Sequence, residues 1–254
     1  MNGAAIAARC RPGVAIEVVA ETGSTNADLL ARCATLAGPT LLVAEHQSAG
    51  RGRAGRSWLS APGASLTFSL AWPFALPLGA LAGLPLAIGL AVAEALGQLG
   101  VTVQLKWPND LLKDGAKLGG ILIETQSGAH GVWTVIGVGL NLDLPDALES
   151  AIGHGVASAP WLARMDRDSL MASLLDALAA MLHQFSERGF APLCARWNAL
   201  HAYQGMAVSI LDRGATLHEG VAAGVDESGQ LLLDTASGRI SVISGDVSLR
   251  LAQR

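Results

Sequence analysis

The sequence predicts an α/β (α+β) fold: a large unit of mixed strands and helices over residues 1–203, then a small all-β unit over 204–254. Three observations carry this reading. Strand-like and helix-like patterns interleave as far as His201. From Gly205 the helical periodicity stops, and short strands recur between turn-rich pieces in the cadence of a small β-barrel. The chain has 254 residues, of which 51% are hydrophobic and 15% charged, so it can bury a large core and is no disordered tail.

Taken in order, the first dozen residues read as loose, and 14–20 as a strand. Thr22-Gly23-Ser24-Thr25-Asn26-Ala27-Asp28 opens a helix running to about residue 37, with Thr25 and Asp28 at capping-box spacing. Residues 40–44 form a short apolar strand, 47–57 a Gly/Arg/Ser-rich loop, and 65–72 an alternating strand. An apolar helix covers 78–99 and is broken by Gly100. A strand over 101–107 ends in the turn Pro108-Asn109-Asp110. Strands over 117–124 and 132–142 are joined by a hairpin-like turn. A helix over 166–188 carries Leu170, Leu174, Leu178, Met181 and Phe185 on one side, and a short helix follows over 192–201. The last strands cover 206–211, 217–225, 231–234, 240–244 and 248–251. Their turns are Asp212-Arg213-Gly214, Asp226-Glu227-Ser228-Gly229 and Ser237-Gly238.

Composition excludes several classes. The net charge is −4 and no block of five or more Lys/Arg occurs, which argues against a general nucleic-acid binder. Cys10, Cys33 and Cys194 are widely spaced and odd in number, so neither a disulfide framework nor a zinc site is indicated, and a reducing, cytoplasmic setting is expected. The N-terminal apolar run is short and its arginines follow it, unlike a secretory signal. No charge lies between Arg56 and Glu94, but this window carries Pro77, Gly79, Gly83, Pro85 and Gly89 and lacks flanking basic anchors. It reads as a buried core helix, not a membrane span.

The segment Gly50-Arg51-Gly52-Arg53-Ala54-Gly55-Arg56-Ser57-Trp58 holds the most chemistry. By letters it matches a dinucleotide fingerprint and nearly a P-loop. Both need a helix after the glycines; a strand-like segment follows here, and no Asp or Glu occurs from His46 to Ala93. A solvated surface loop remains open. Three arginines in six residues with no carboxylate nearby in sequence favour an anion clamp, in which glycines admit phosphate to backbone N–H groups and arginines supply forked donors. Such a loop would be mobile when empty and ordered by phosphate.

Lys106-Trp107-Pro108-Asn109-Asp110 ends a strand, where Lys106 can hold a phosphate oxygen and Asp110 can bind Mg²⁺ or steer an amine; a plain turn explains it equally. Lys117 heads the apolar run Leu118-Gly119-Gly120-Ile121-Leu122-Ile123-Glu124, whose glycines let a flat ligand lie on backbone. The alternative is a surface lysine before a core strand. Gly137-Val138-Gly139-Leu140-Asn141 closes a further strand, or a bulged core strand.

Together these segments resemble the biotin–protein ligases. Ser24-Thr25-Asn26, Gln47, Gly50 to Arg56 with Trp58, Lys106 to Asp110, Lys117 to Glu124 and Gly137 to Asn141 stand in that family's order and approximate spacing. The resemblance runs from about Val18 to Leu142 and resumes at Gly245-Asp246-Val247-Ser248-Leu249-Arg250, with Asp246 where many relatives have glutamate. It implies a mixed-sheet catalytic domain over 1–203 and an SH3-like barrel over 204–254. It implies activation of biotin by ATP with Mg²⁺, and transfer from biotinyl-5′-AMP to a lysine of a biotin carboxyl carrier protein.

By the same resemblance, Ser24, Thr25, Asn26, Gln47, Arg51, Gly52, Arg53, Lys117 and Gly119 bind biotin. Arg51, Arg53, Arg56, Trp58, Asn109, Lys117 and Asn141 serve ATP. Lys117, Arg53, Asp110 and Lys106 are the catalytic set, and Asp110 is the metal-ligand candidate. Some relatives carry an N-terminal DNA-binding domain; too few residues precede Ser24 for one, so operator binding is not expected, and neither is a membrane role. Sheet-edge homodimerisation stays open. Lipoate–protein ligases share related chemistry, but their early Arg-Arg pair and triple glycine do not occur here. A non-catalytic regulator of the same fold is the remaining alternative.

Overall fold

The most apolar strands of the chain lie where a sheet is covered on both faces. The computed structural model describes residues 1–128, 131–153, 155–212, 214–245 and 247–252. Helix α1 (Gly3–Ala7) leads into β1 (Ala15–Thr22), α2 (Thr25–Arg32), β2 (Thr40–Gln47) and β3 (Ser65–Phe74). Then come α3 (Leu84–Gln98), β4 (Gln104–Lys106), β5 (Asp110–Lys113), β6 (Ala116–Gly128) and β7 (Gly131–Asn141). The order across this seven-stranded sheet is β1-β2-β3-β7-β6-β5-β4. β1 and β2 run parallel and the other neighbours antiparallel, so the sheet is mixed.

β3 and β7 lie together in the interior of the sheet and are almost wholly buried. After α4 (Asp146–Ile152) and α5 (Pro160–Ala163), the long α6 (Arg167–Arg188) packs on α3 over one face. Its apolar stripe of Leu170, Leu174, Leu178, Met181 and Phe185 is buried. On the other face, Leu29 and Cys33 of the α2 region meet Leu42, Ala71 and Val135. The stretch Leu78–Gln98 is long and apolar enough to cross a membrane, but 67% of its apolar window is buried within the fold.

α7 (Cys194–Ala199) precedes the second sheet, formed by β8 (Ala207–Asp212), β9 (Ala215–Val225), β10 (Leu231–Thr235), β11 (Gly238–Val242) and β12 (Val247–Leu251). Its order is β11-β10-β9-β8-β12, antiparallel throughout. The sheets are tied together: Trp107 Nε1 donates to the Gly229 carbonyl at 3.1 Å, and Leu105 exchanges backbone hydrogen bonds with residues 200 and 202.

Four local expectations change. The first residues are anchored, not loose: Asn2 caps α1 by accepting from Ala5 N, Ile6 is fully buried, and the terminal amine pairs with Glu45. One buried apolar residue is too little for a periodic signal. The helix expected to residue 37 ends at Arg32 and tightens into a 3₁₀ turn, Cys33–Thr35. The long apolar helix divides into a 3₁₀ turn, Leu78–Leu81, and α3. The Pro-Asn-Asp turn is a hairpin, with Asp110 opening β5 and paired to Lys106. Arg213, Asp246 and the hairpin tip at 129–130 lie outside the described residues.

Candidate active site

A cavity opens between the start of α2, the arginine loop and the faces of β3, β6 and β7. Its deep end is polar and uncharged. Ser24 is the N-cap of α2, its hydroxyl accepting from Ala27 N. The next two residues therefore sit in the first helical turn with their side chains aimed back at the sheet. Thr25 donates its N–H to Gln47 Oε1 at 2.8 Å and shares a 2.7 Å hydrogen bond with Ser69 Oγ. Ser69 donates to Asn26 Oδ1 at 2.6 Å. Asn26 Nδ2 donates to Glu124 Oε2 at 2.9 Å and to the Leu122 carbonyl at 3.3 Å. Ser24, Thr25, Asn26, Gln47 and Ser69 are all buried, so these hydrogen bonds offset their desolvation.

The glycines of β7 leave space for this cluster. A Cβ on Gly137 would lie 2.3 Å from Asn26 Oδ1, and one on Gly139 would lie 2.4 Å from the Trp58 ring. Trp58 thus packs flat on bare backbone, with its buried Nε1 lacking a partner among the described residues. β3 contributes Phe68 and Ser69 to the lining.

The mouth is cationic. The arginine loop closes on itself as a small hairpin: Arg51 bridges Ser57, Gly52 N donates to the Arg56 carbonyl at 2.7 Å, and Trp58 N donates to the Gly50 carbonyl at 2.9 Å. Gly50 is forced, since a Cβ there would meet the Trp58 carbonyl at 2.4 Å. Arg51 Nη2 reaches Glu124 Oε2 at 2.9 Å. Arg53 reaches Asn109 Oδ1 at 3.5 Å and the Gly245 carbonyl. Arg56 Nε bonds the Arg53 carbonyl at 3.2 Å. No carboxylate lies near these arginines in sequence, yet β6 brings Glu124 to them from 73 residues further along.

Lys117 stands at the rim, its Nζ over Gly120, where a Cβ would lie 3.2 Å away. It donates to Asp110 Oδ1 at 2.5 Å, while Lys106 donates to Oδ2 at 3.2 Å. Burial alone would raise the Asp110 pKa, but the charges of Lys117 and then Lys106 outweigh it and hold the carboxyl below its usual range. Burial depresses the Lys106 pKa, against the pull of Asp110.

Most of the residues expected from sequence thus converge. Ser24, Thr25, Asn26, Gln47, Arg51, Gly52, Arg53, Arg56, Trp58, Asn109 and Lys117 line the one cavity. Asp110 and Lys106 lie behind Lys117. Three expectations shift. Asp110 has both oxygens on ammonium groups, so it presents no free carboxylate oxygen to a resident magnesium ion. Of the paired glycines, Gly120 faces the cavity, whereas Gly119 packs on Gly139 and Leu140 of β7. Asn141 lies outside the lining: its amide spans the Lys117 and Ala157 carbonyls at 3.3 and 3.1 Å, holding the Lys117 backbone.

Sequence reasoning missed Phe68, Ser69, Gly120, Ile121, Leu122 and Glu124 as individual site residues. Ser69 carried a faint signal, one of three small polar residues alternating along β3, and Gly120 carried one as half of a glycine pair able to admit a flat ligand; the others read as ordinary strand.

Residues 16–141 match the model of the biotin/lipoate A/B protein ligase family, and 205–250 that of the biotin protein ligase C terminal domain. The chain is 35% identical over 250 residues to the bifunctional ligase/repressor BirA of Escherichia coli, covering 95% of this chain and 76% of that protein. It is 38% identical over 245 residues to the biotin–(acetyl-CoA-carboxylase) ligase of Mycobacterium tuberculosis, covering 91% and 88%. The biotin protein ligase of Aquifex aeolicus, solved in complex with biotin and ATP, superposes with a TM-score of 0.79 at 28% identity, over 94% of this chain and 99% of that one.

Proposed function

The chain belongs to the biotin/lipoate A/B protein ligase family, and we propose that its cavity joins biotin to ATP and passes the biotinyl group to a lysine of a biotin carboxyl carrier protein. One observation carries the reading: an uncharged hydrogen-bonding end and a cationic mouth lie in a single cavity, with Lys117 between them. A neutral cyclic urea suits the first, and a carboxylate meeting a triphosphate suits the second.

In the first step a biotin carboxylate oxygen attacks the α-phosphorus of ATP. The bond from that phosphorus to the bridging oxygen breaks, and pyrophosphate leaves. Both reactants are anionic, so the main barrier is charge repulsion and alignment. The Lys117 ammonium and the guanidinium groups of Arg51, Arg53 and Arg56 offset that charge. Asp110, ionised between two ammoniums, holds the Lys117 side chain aimed across Gly120. Trp58 offers a flat apolar surface to the nucleotide. In the second step the neutral carrier amine attacks the anhydride carbonyl, the bond from that carbon to the phosphate oxygen breaks, AMP leaves, and the proton shed by the new amide nitrogen goes with the departing phosphate. A carboxyl held below its usual range is a weak base, so Asp110 orients the incoming amine electrostatically. The arginine hairpin keeps water off the anhydride. A cytoplasmic setting, where ATP is supplied, suits this reaction.

The test is exchange of labelled pyrophosphate into ATP, with and without biotin, followed by labelling of a biotin carboxyl carrier domain. Biotin-dependent exchange and a single modified lysine are expected. Exchange indifferent to biotin would remove the reading.

A further inference from the structure

Resting on the reading of the cavity as a biotin site, we propose that Glu124 is a positioning residue: it fixes which atoms of the deep pocket donate and which accept, and it ties that pocket to the arginine loop. One oxygen, Glu124 Oε2, accepts from Asn26 Nδ2 and from Arg51 Nη2, each at 2.9 Å.

A carboxylate only accepts, and this determines the hydrogens of Asn26, Ser69 and Thr25 in turn. Asn26 must turn its NH₂ toward Glu124 and the Leu122 carbonyl; the flipped amide would set oxygen against two acceptors. Asn26 Oδ1 therefore faces Ser69, which donates its one hydroxyl hydrogen at 2.6 Å. Ser69 can then only accept from Thr25, whose hydroxyl is 2.7 Å away. Gln47 Oε1 accepts from the Thr25 backbone N–H at 2.8 Å and lies 3.1 Å from Thr25 Oγ1. The backbone N–H orients the Gln47 amide with Nε2 as a donor, and among the described residues no hydrogen bond uses that nitrogen. The chain of donors runs one way, from Thr25 to Glu124.

The consequence is a polarity complementary to a cyclic urea. Gln47 Nε2 offers a donor for the carbonyl oxygen. Asn26 Oδ1 and Thr25 Oγ1 keep lone pairs for ring N–H groups. Arg51 is latched to the same carboxylate, so the loop and the recognition end share one anchor.

Glu124→Gln keeps the shape and one acceptor oxygen, and Glu124→Met keeps the length with none. Biotin, and the two isosteric lactams in which one ureido N–H becomes CH₂, are compared in pyrophosphate exchange. Glu124→Met is expected to raise the biotin KM at least tenfold, with kcat changed less than threefold and Glu124→Gln intermediate. The preference for biotin over the lactams should shrink at least threefold in Glu124→Met. A merely structural defect would weaken all three ligands alike and leave that ratio intact. Unchanged KM in Glu124→Gln and Glu124→Met, or an unchanged ratio, overturns the role of Glu124 while wild-type exchange still supports the ligase reading. Absence of biotin-dependent exchange in the wild type overturns both.

Discussion

The two ends of the cavity are built on opposite principles. The deep end is lined by the neutral, buried side chains of Thr25, Gln47, Ser69 and Asn26, joined by successive hydrogen bonds and anchored on the half-buried carboxylate of Glu124. The mouth is charged and partly exposed: the arginines of a glycine-rich hairpin rest on Glu124 and Asn109, and Lys117 of β6 rests on Asp110. A neutral ligand is recognised by direction, which needs rigid partners. An anion is recognised by field, which tolerates movement and gains from it when charge develops in the transition state. Substitutions at the mouth should therefore act on rate and retention, and those at the deep end on affinity.

The sharpest way to break this contrast is Lys117→Ala. Adenylate formation in single-turnover assays should fall about a thousandfold or more with biotin affinity nearly kept, consistent with loss of a preorganised charge; a large loss of affinity instead would merge the two ends.

Arg53→Gly comes next. It removes the ties from the hairpin to Asn109 and to Gly245. Release of biotinyl-AMP should rise roughly tenfold through easier loop opening, read as labelling of bystander lysines and as intermediate lost through a spin column.

Gly137→Ala probes the deep end. Its Cβ would sit 2.3 Å from Asn26 Oδ1, so Asn26 must move. The biotin dissociation constant should rise by roughly tenfold, on the order of one misaligned polar contact, with the rate at saturation little changed. Titration calorimetry separates the two.

The smallest effect on the cavity belongs to a residue outside both ends. His201 is buried against Trp197, its Nε2 has no partner among the described residues, and burial pushes its pKa down to about 4. Its folded pKa lies below its unfolded one, so the unfolded chain takes up the proton first. Stability present above about pH 6.5 should decline as pH falls toward 4, by up to about 3 kcal/mol. Denaturant midpoints across that range should show the decline in the wild type and lose it in His201→Phe.

Much of the fold was legible because burial imposes pattern. β3 read as a strand by its alternation and β7 by its apolar run. α6 announced itself by its stripe. What stayed hidden depended on single contacts: Ile6 under α1, or β5 inside what looked like a plain turn. The site divides the same way. Arginines, lysines and tandem glycines are chemically loud, and their grouping was readable. Glu124 and Ser69 are silent in sequence, because a carboxylate at the end of a strand and a serine within one have many ordinary uses.

The sequence by itself determined the chemical inventory: which cations, which glycines and which neutral polar residues exist, and on which elements they ride. Tertiary structure alone decided how they are paired. It brought Glu124 to Arg51 and Asn26, set Asp110 between two lysines in place of a metal, chose Gly120 over Gly119 to face the cavity, and turned Asn141 to the backbone. The reason is one of range. Helix and strand periodicity is written in neighbouring residues, whereas a hydrogen bond is decided within about 3 Å by side chains that only the folded sheet brings together.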